Sequence, residues 1–412
     1  MQNDSFSDIG KVEAIRLLFE PSGFSLAAPI FEPANGSAVR LASRFFQEGL
    51  DFDLTYFPLR HLGYKAVVAV TGELFAALAH PRTLSVRLGL SAKFSFASVQ
   101  ELWEGMVSAA KEYAYVSLDL DLLPCANGLS ISVSALGESL LLTRKRQPKP
   151  KSMDLLCVSG SLGAAFLGLQ VLEREKKRFV SGTPRPADPS SRSEAPGNSR
   201  PDRPDTAGSR PDRPDIAGFH PDRPDHTDTA GSRPDRPDHP DTAGFRPDRP
   251  DTAGSQPDSP AVFRPDLEKY KMLVGSYLKP ELSASVLRHL EDAEVYPSLG
   301  TLVTHGLSDA VKRLASVSGL GAKIYADKIP FEGNTFALGK ELDIDPISAA
   351  MNGGDDFRLL FAIPILRTEQ FRRDFQTFDI IGHLARPEAG TVLVTPDGAE
   401  LPLRAQGWPE AD

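Results

Sequence analysis

Cysteine is nearly absent: Cys125 and Cys157 are the only two in 412 residues. Neither the count nor the spacing makes a disulfide framework or a thiolate metal site. Both are expected as small core residues, and the pair fits a reducing, cytoplasmic setting. Long apolar runs are lacking too, so no stretch is expected to span a bilayer and no membrane partner is expected. Met1-Gln2-Asn3-Asp4-Ser5 lacks the basic and apolar regions of a secretory leader, so secretion is not expected. An excess of positive charge is also missing, since Lys and Arg total 46 against 55 Asp and Glu, a net charge of −9. Polyanion binding relies on clustered Lys and Arg, so no nucleic-acid partner is expected.

Apolar side chains are almost absent from the middle of the chain. Over 181–265 it repeats Arg-Pro-Asp-Arg-Pro-Asp-Thr-Ala-Gly with small variations, in copies beginning near Arg200, Arg210, His220, Arg233 and Arg246. A period of about ten residues is too short for a helical solenoid unit. Recurrent proline bars helix and sheet, and too little apolar surface remains to offset the entropy of ordering. Arg and Asp nearly cancel, which predicts a hydrated, extended coil. Two roles fit it: a docking tract for a charged partner, or a tolerated expansion of a surface loop.

Apolar patterning returns on both sides of the repeat. Residues 39–46 read as a strand and 64–79 as a buried helix, while 83–90 alternate as a half-buried strand. Ser98 followed by Glu101 reads as a capping box that opens an amphipathic helix. Residues 129–135 alternate again. Residues 155–158 are continuously apolar, as in a strand covered on both faces, and a helix follows through Lys176. Beyond the repeat, helices are expected over 267–277, 283–290 and 307–317, strands over 322–325, 359–363 and 379–381, and a hairpin around Pro396-Asp397-Gly398. Strands and helices mix without strict alternation, so the expected fold class is α+β.

The densest chemistry lies in Asn352-Gly353-Gly354-Asp355-Asp356-Phe357, where two glycines allow a tight turn, two carboxylates follow and a buried strand begins. Asp355 and Asp356 either orient a substrate or satisfy backbone N–H groups of their own turn. Gly160 and Gly163 precede a helix N-terminus, where phosphate binds readily, or make a plain strand-to-helix turn. Glu73 lies in an apolar helix and needs a ligand, a cation or a partly exposed position, because an unpaired buried carboxylate is costly. Asp121 is either a metal ligand or part of the ordinary alternation Asp119-Leu120-Asp121. Asp343 and Asp345 precede Pro346 and read as a turn.

The Gly-Gly-acid-Asp turn entering an apolar strand resembles the C-terminal signature of the thiamine-monophosphate kinases. Their superfamily also contains aminoimidazole ribonucleotide synthetase and selenophosphate synthetase. Other stretches resemble the family in order: Phe52-Asp53-Leu54-Thr55-Tyr56, Leu62-Gly63-Tyr64-Lys65-Ala66-Val67, Val158-Ser159-Gly160-Ser161-Leu162-Gly163, Gly319-Leu320-Gly321-Ala322, Ile381-Gly382-His383 and Gln406-Gly407-Trp408. The resemblance implies the two-domain α+β fold of the aminoimidazole ribonucleotide synthetase-like superfamily. Its implied parts are an ATP-binding-type, dimerising sheet domain over 1–145, an α/β domain from 146–180 and 266–412, and a disordered repeat, 181–265, looping out of the second. It further implies a homodimer, ATP and Mg²⁺ as cofactors, and thiamine phosphate as the small-molecule substrate. The family moves the γ-phosphoryl of ATP onto the phosphate of thiamine monophosphate. Both reactants are anions, and Mg²⁺ ions held by aspartates neutralise them.

Aligned without gaps from Gly23, the family's Gly-Asp-Asp falls on Ser25-Leu26-Ala27 and its Thr-Asp on Ser43-Arg44. Its Asn-Leu-Ser-Asp falls on Val70-Thr71-Gly72-Glu73, and its Gly-Gly-Asp-Thr-Thr on Asp119-Leu120-Asp121-Leu122-Leu123. Its Asp-x-Ser-Asp-Gly falls on Leu302-Val303-Thr304-His305-Gly306. Glu73 and Asp121 survive, and one Mg²⁺ between them is the metal site this leaves. A shift of a few residues would bring Glu32 or Asp51 into the lost positions. Leucine and alanine offer a hard cation no oxygen, and Arg44 repels one. Arg44 and His305 are then fixed cations in place of lost metals, or surface and packing residues. The readings that follow are a kinase with unusual metal ligation, an inactive relative acting as a dimeric nucleotide-binding, regulatory or scaffold protein, or a decaying copy. Carboxylate-held charge compensation is the core of such a site, which favours the second.

Overall fold

The computed structural model describes residues 11–24, 33–34, 36–181 and 267–404. Ser25-Leu26-Ala27, Glu32, the repeat beyond Ser181 and Gln406-Gly407-Trp408 lie outside the described residues. The N-terminal sheet contains β1 (Ala38–Gln47), β2 (His80–Leu90), β3 (Ser117–Pro124) and β4 (Leu129–Ser139), in the order β1-β4-β2-β3. Only β2 and β3 run parallel. Strand alternation separates its two faces. Phe46, Val86, Leu120 and Val133 enter the core, while Leu41, Ser85, Asp121 and Ser132 point the other way.

Two helices, α1 (Leu59–Ala76) and α2 (Phe96–Glu112), cover the core face. α1 is buried almost all round because it lies between two sheets, touching β1 and β4 on one side and the second sheet on the other. α1 and α2 cross at Gly63 and Gly105: a β-carbon would stand 2.0 Å from the Leu102 carbonyl oxygen at Gly63 and 1.9 Å from that of Arg60 at Gly105. No side chain fits there.

The second sheet contains β5 (Leu155–Ser159), β6 (Leu299–Val303), β7 (Gly321–Tyr325), β8 (Arg358–Ile363), β9 (Phe378–Ala385), β10 (Thr391–Val394) and β11 (Glu400–Pro402). Their order is β11-β10-β7-β9-β5-β8-β6, antiparallel except for β10 beside β7. β5 is an inner strand, with Cys157 in one core cluster and Leu156 and Val158 in the other. Coverage of both faces explains its continuous apolar run. Around this sheet lie α3 (Ala164–Ser181), α4 (Lys271–Leu278), α5 (Leu307–Ser318) and α6 (Pro346–Asn352). α5 stops at Gly319, whose φ of 69° makes the left-handed cap.

The α+β class and most elements are those expected, with several differences. The cap of α2 is Ser95, whose Oγ accepts from the Ser98 N–H at 3.2 Å, so Ser98 lies inside the first turn. Asp345 is not in a plain turn but caps α6, with Pro346 at the first helical position. β6 and the helices Thr335–Glu341 and Thr368–Asp374 were not foreseen; each is short. Cys157 is in the core, but Cys125 is only half-buried in the turn after β3. Among the described residues no helix is long and apolar enough to cross a membrane.

Gly63→Ala is expected to cost about 1–3 kcal/mol in urea unfolding, through forced separation of α1 and α2. Gly275→Ala in α4, where a β-carbon meets nothing within 4 Å, is expected to be neutral or to stabilise by up to about 1 kcal/mol.

Candidate functional site

After α6 the chain turns through Gly353-Gly354-Asp355-Asp356-Phe357 into β8. Gly354 has φ 84°, and a β-carbon there would lie 2.8 Å from the Thr304 carbonyl oxygen. The same oxygen accepts the Asp355 N–H at 2.8 Å, tying the turn to the end of β6. Asp355 and Phe357 hold φ of 63° and 48°, a conformation that costs non-glycine residues about 1–3 kcal/mol each.

Asp356 is buried and accepts N–H groups from Gly163 at 2.9 Å and Ala165 at 3.4 Å. It thus caps α3 across 193 positions of sequence rather than its own turn. Burial pushes its carboxyl up to about 7, against the Gly163 and Ala165 N–H groups and the Arg358 charge. Gly163 and Asp356 therefore form one clasp, and the N-terminus of α3 already faces a carboxylate of this chain. Gly160, with φ 77°, lies beside the Arg358 guanidinium, which donates to the Ser161 and Glu281 carbonyl oxygens at 3.3 and 3.0 Å. It borders a cavity of about 900 Å³ with Lys279, His289 and Arg358. Asp355 does not line that cavity.

Asp355 instead borders a second cleft of about 450 Å³, together with Arg44, Asp51, Asp53, Glu173, Lys176, Thr304 and His305. The acids there are engaged. Asp53 pairs with Lys176, Glu173 accepts the Tyr56 hydroxyl, and Asp51 accepts the Gln47 N–H at 2.8 Å. Asp355 pairs with Lys65 at 3.3 Å. Lys65 is 2% exposed, and its Nζ also donates to the Tyr277 carbonyl oxygen at 3.0 Å and lies 3.8 Å from the centre of the Tyr277 ring. Burial pushes Lys65 down, and Asp355 opposes that. Lys65 was not foreseen as a site residue; the available signal was a lone lysine within the apolar helix α1.

Arg44 on β1 shares the core-side face with Phe46, and its Nη1 lies 3.4 Å from His305 Nε2. Its guanidinium stands over the Phe46 and Phe357 rings at 5.4 and 6.0 Å. Among the described residues no carboxylate forms an ion pair with it. Burial, then the Arg44 charge, holds the His305 imidazole below its ordinary range.

Glu73 lies elsewhere on α1, 3.5 Å from Arg313, which also pairs with Asp309 at 2.9 Å. Burial pushes the Glu73 carboxyl up and Arg313 opposes it. Asp121 is on β3 across from Arg87, on the sheet face turned away from α1, and accepts the Leu122 N–H at 2.9 Å. The structure does not bring Glu73 and Asp121 to one site. Mg²⁺ demands near-octahedral oxygen donors. Among the described residues no three His, Cys, Asp or Glu converge to hold a metal, and the Arg44–His305 pair supplies a cation where the ion would need oxygens. These residues do not fit Mg²⁺.

No protein-family model matches the chain. Curated thiamine-monophosphate kinases are similar over part of it: that of Bacillus subtilis is 27% identical over 128 residues and that of Rhodopirellula baltica 31% over 124. These matches span 39% and 38% of the relatives' own length, and 31% and 29% of this chain. The thiamine-monophosphate kinase of Stenotrophomonas maltophilia superposes with a TM-score of 0.60 at 16% identity, covering 94% of this chain and 96% of that one. AaThiL complexed with AMPPCP and TMP gives 0.58 at 17%, covering 96% of each. The hydrogenase maturation protein HypE in complex with ATP gives 0.57 at 14%, covering 97% of each. The chain has this aminoimidazole ribonucleotide synthetase-like fold, and its sequence resembles the thiamine-monophosphate kinases.

The Asp356 clasp gives a pH prediction. Its folded pKa of about 7 stands above the ordinary 3.8, so the protonated form favours folding. That contribution is complete below the unfolded value and is lost as pH rises through the folded one. The urea-unfolding stability of the wild type minus that of Asp356→Asn is therefore expected to fall between pH 4 and pH 7 and to level off above.

Proposed function

We propose that this chain, which resembles the thiamine-monophosphate kinases in sequence and has their fold, binds a phosphate-bearing small molecule but does not carry out Mg²⁺-dependent phosphoryl transfer. The Arg44–His305 contact at 3.4 Å carries the reading. Transfer between two anions needs several divalent charges held by oxygen donors around the reacting phosphates. Here that corner holds a guanidinium and an imidazole. The solved relatives of this fold that hold AMPPCP with TMP, or ATP, support nucleotide or thiamine phosphate as the ligand class. Membership of the thiamine-monophosphate kinase family is part of the same proposal, as is the division into a domain over 1–145, another from 146–180 and 266–412, and an inserted repeat.

The test is incubation of the full chain with ATP, Mg²⁺ and thiamine monophosphate, with chromatography for thiamine diphosphate. No product above background is expected, while thermal-shift titration with the same compounds raises the midpoint. Mg²⁺-dependent turnover that is lost in Glu73→Ala and in Asp121→Ala would overturn the reading.

The homodimer belongs to the proposal as well. On the face of the N-terminal sheet turned away from α1, Val39, Leu41 and Phe45 are 47%, 70% and 57% exposed, beside a row of small serines at 130, 132 and 134 on β4. A flat, half-apolar face of this kind is what a second copy would cover. Leu41→Glu is expected to shift a dimer to monomer in light scattering, with circular dichroism unchanged.

A further inference from the structure

We infer that the 450 Å³ cleft contains a metal-independent binding site for a phosphate monoester, formed by the Arg44 guanidinium, the His305 ring and the Thr304 hydroxyl. The inference deepens the reading above, that the cleft takes a phosphate-bearing ligand, and rests on it. Three observations carry it.

The first is the imbalance of partners. Asp51, Asp53, Glu173 and Asp355 each have a donor or counter-ion within this chain. Among the described residues Arg44 has only the His305 ring nitrogen and two aromatic faces. A guanidinium with its fork unfilled is preorganised for a phosphate or carboxylate.

The second is independent of charge. Thr304 borders the cleft and is 2% exposed, and among the described residues its buried Oγ1 has no hydrogen-bond partner. Buried hydroxyls are nearly always satisfied, and one left unpaired costs about 1–3 kcal/mol. After a rotation of the Thr304 side chain toward the cleft, a ligand oxygen would satisfy it without breaking any hydrogen bond of the described residues.

The third is backbone geometry. α5 begins directly after His305, with Gly306 as cap and no side chain on its first N–H groups. Its positive end adds to the same corner. The Arg44 guanidinium thus stands where divalent ions would be needed, and the ligand is bound rather than turned over.

The test is calorimetric titration of the full chain with inorganic phosphate, AMP and thiamine monophosphate in parallel, in EDTA and again in Mg²⁺. At least one is expected to bind in EDTA with the same affinity as in Mg²⁺; which one identifies whether the phosphate alone, a nucleotide or thiamine carries recognition. Arg44→Leu is expected to weaken that binding roughly ten- to hundred-fold, as loss of a charged hydrogen-bond partner does. Thr304→Val is expected to weaken it roughly three- to ten-fold while leaving urea unfolding unchanged or more stable, because it removes an unsatisfied polar atom. A purely structural Thr304 would lose stability instead. Binding that needs Mg²⁺, no binding of any of the three, or unaltered affinity in a folded Arg44→Leu overturns the site. Thiamine diphosphate production from ATP and Mg²⁺ would instead overturn the reading on which it rests.

Discussion

Charge compensation between β1, the end of β6 and the Gly353-Gly354 turn is the constraint on which the rest depends. Four carboxylates border the cleft, and the chain answers them with Lys65, Lys176, backbone N–H groups and a tyrosine hydroxyl. Arg44 is a cation of that lining that no carboxylate pairs among the described residues. A divalent ion about 4 Å from it would be opposed by roughly 8 kcal/mol at an effective dielectric constant of about 20. An anion at the same place would be attracted by a comparable interaction. The sign of this side chain therefore favours an anion over a divalent ion in its own corner.

The fold makes that charge rigid. α1 is wedged between the two sheets and brings Lys65 beneath the cleft. Its tight crossing with α2 at Gly63 leaves it little freedom to move. The signature turn is held at one end by Asp355 on the Thr304 carbonyl and at the other by Asp356 on the start of α3. The positive φ at Asp355 and Phe357 persists because both ends are tied. The turn thus serves first as a clasp between β6, α3 and β8, and through that clasp it places Thr304, His305 and Asp355 around one cleft.

Much of the fold was legible because local pattern and burial agree. The alternation of β2 and β4 and the unbroken apolar run of β5 follow from one-sided and two-sided coverage respectively. β6 and the short helices carry too few residues for a period to show. The cap of α2 was misplaced by three residues because Ser95 and Ser98 are equally good capping side chains. The site was legible only in pieces. Gly163 and Asp356 were each visible, but not that they bond to each other; Arg44 and His305 were flagged, but 261 positions separate them. Glu73 and Asp121 are the carboxylates kept on two of the family's motifs, yet Asp121 lies on the sheet face turned away from the helix that carries Glu73, as only strand register reveals. Lys65 stood out only as a lone lysine in an apolar helix, and the Thr304 hydroxyl, unpaired among the described residues, gave no signal beyond residue type, because their meaning lies in burial.

The most direct test of this account is titration of Mn²⁺ into the full chain, followed by the paramagnetic resonance signal of the free ion. A cleft whose compensation is supplied by arginine and lysine predicts that the signal grows as in buffer, with only weak, unsaturable uptake. Saturable, sub-millimolar binding of two or more ions per chain, abolished in Glu73→Ala, would contradict it.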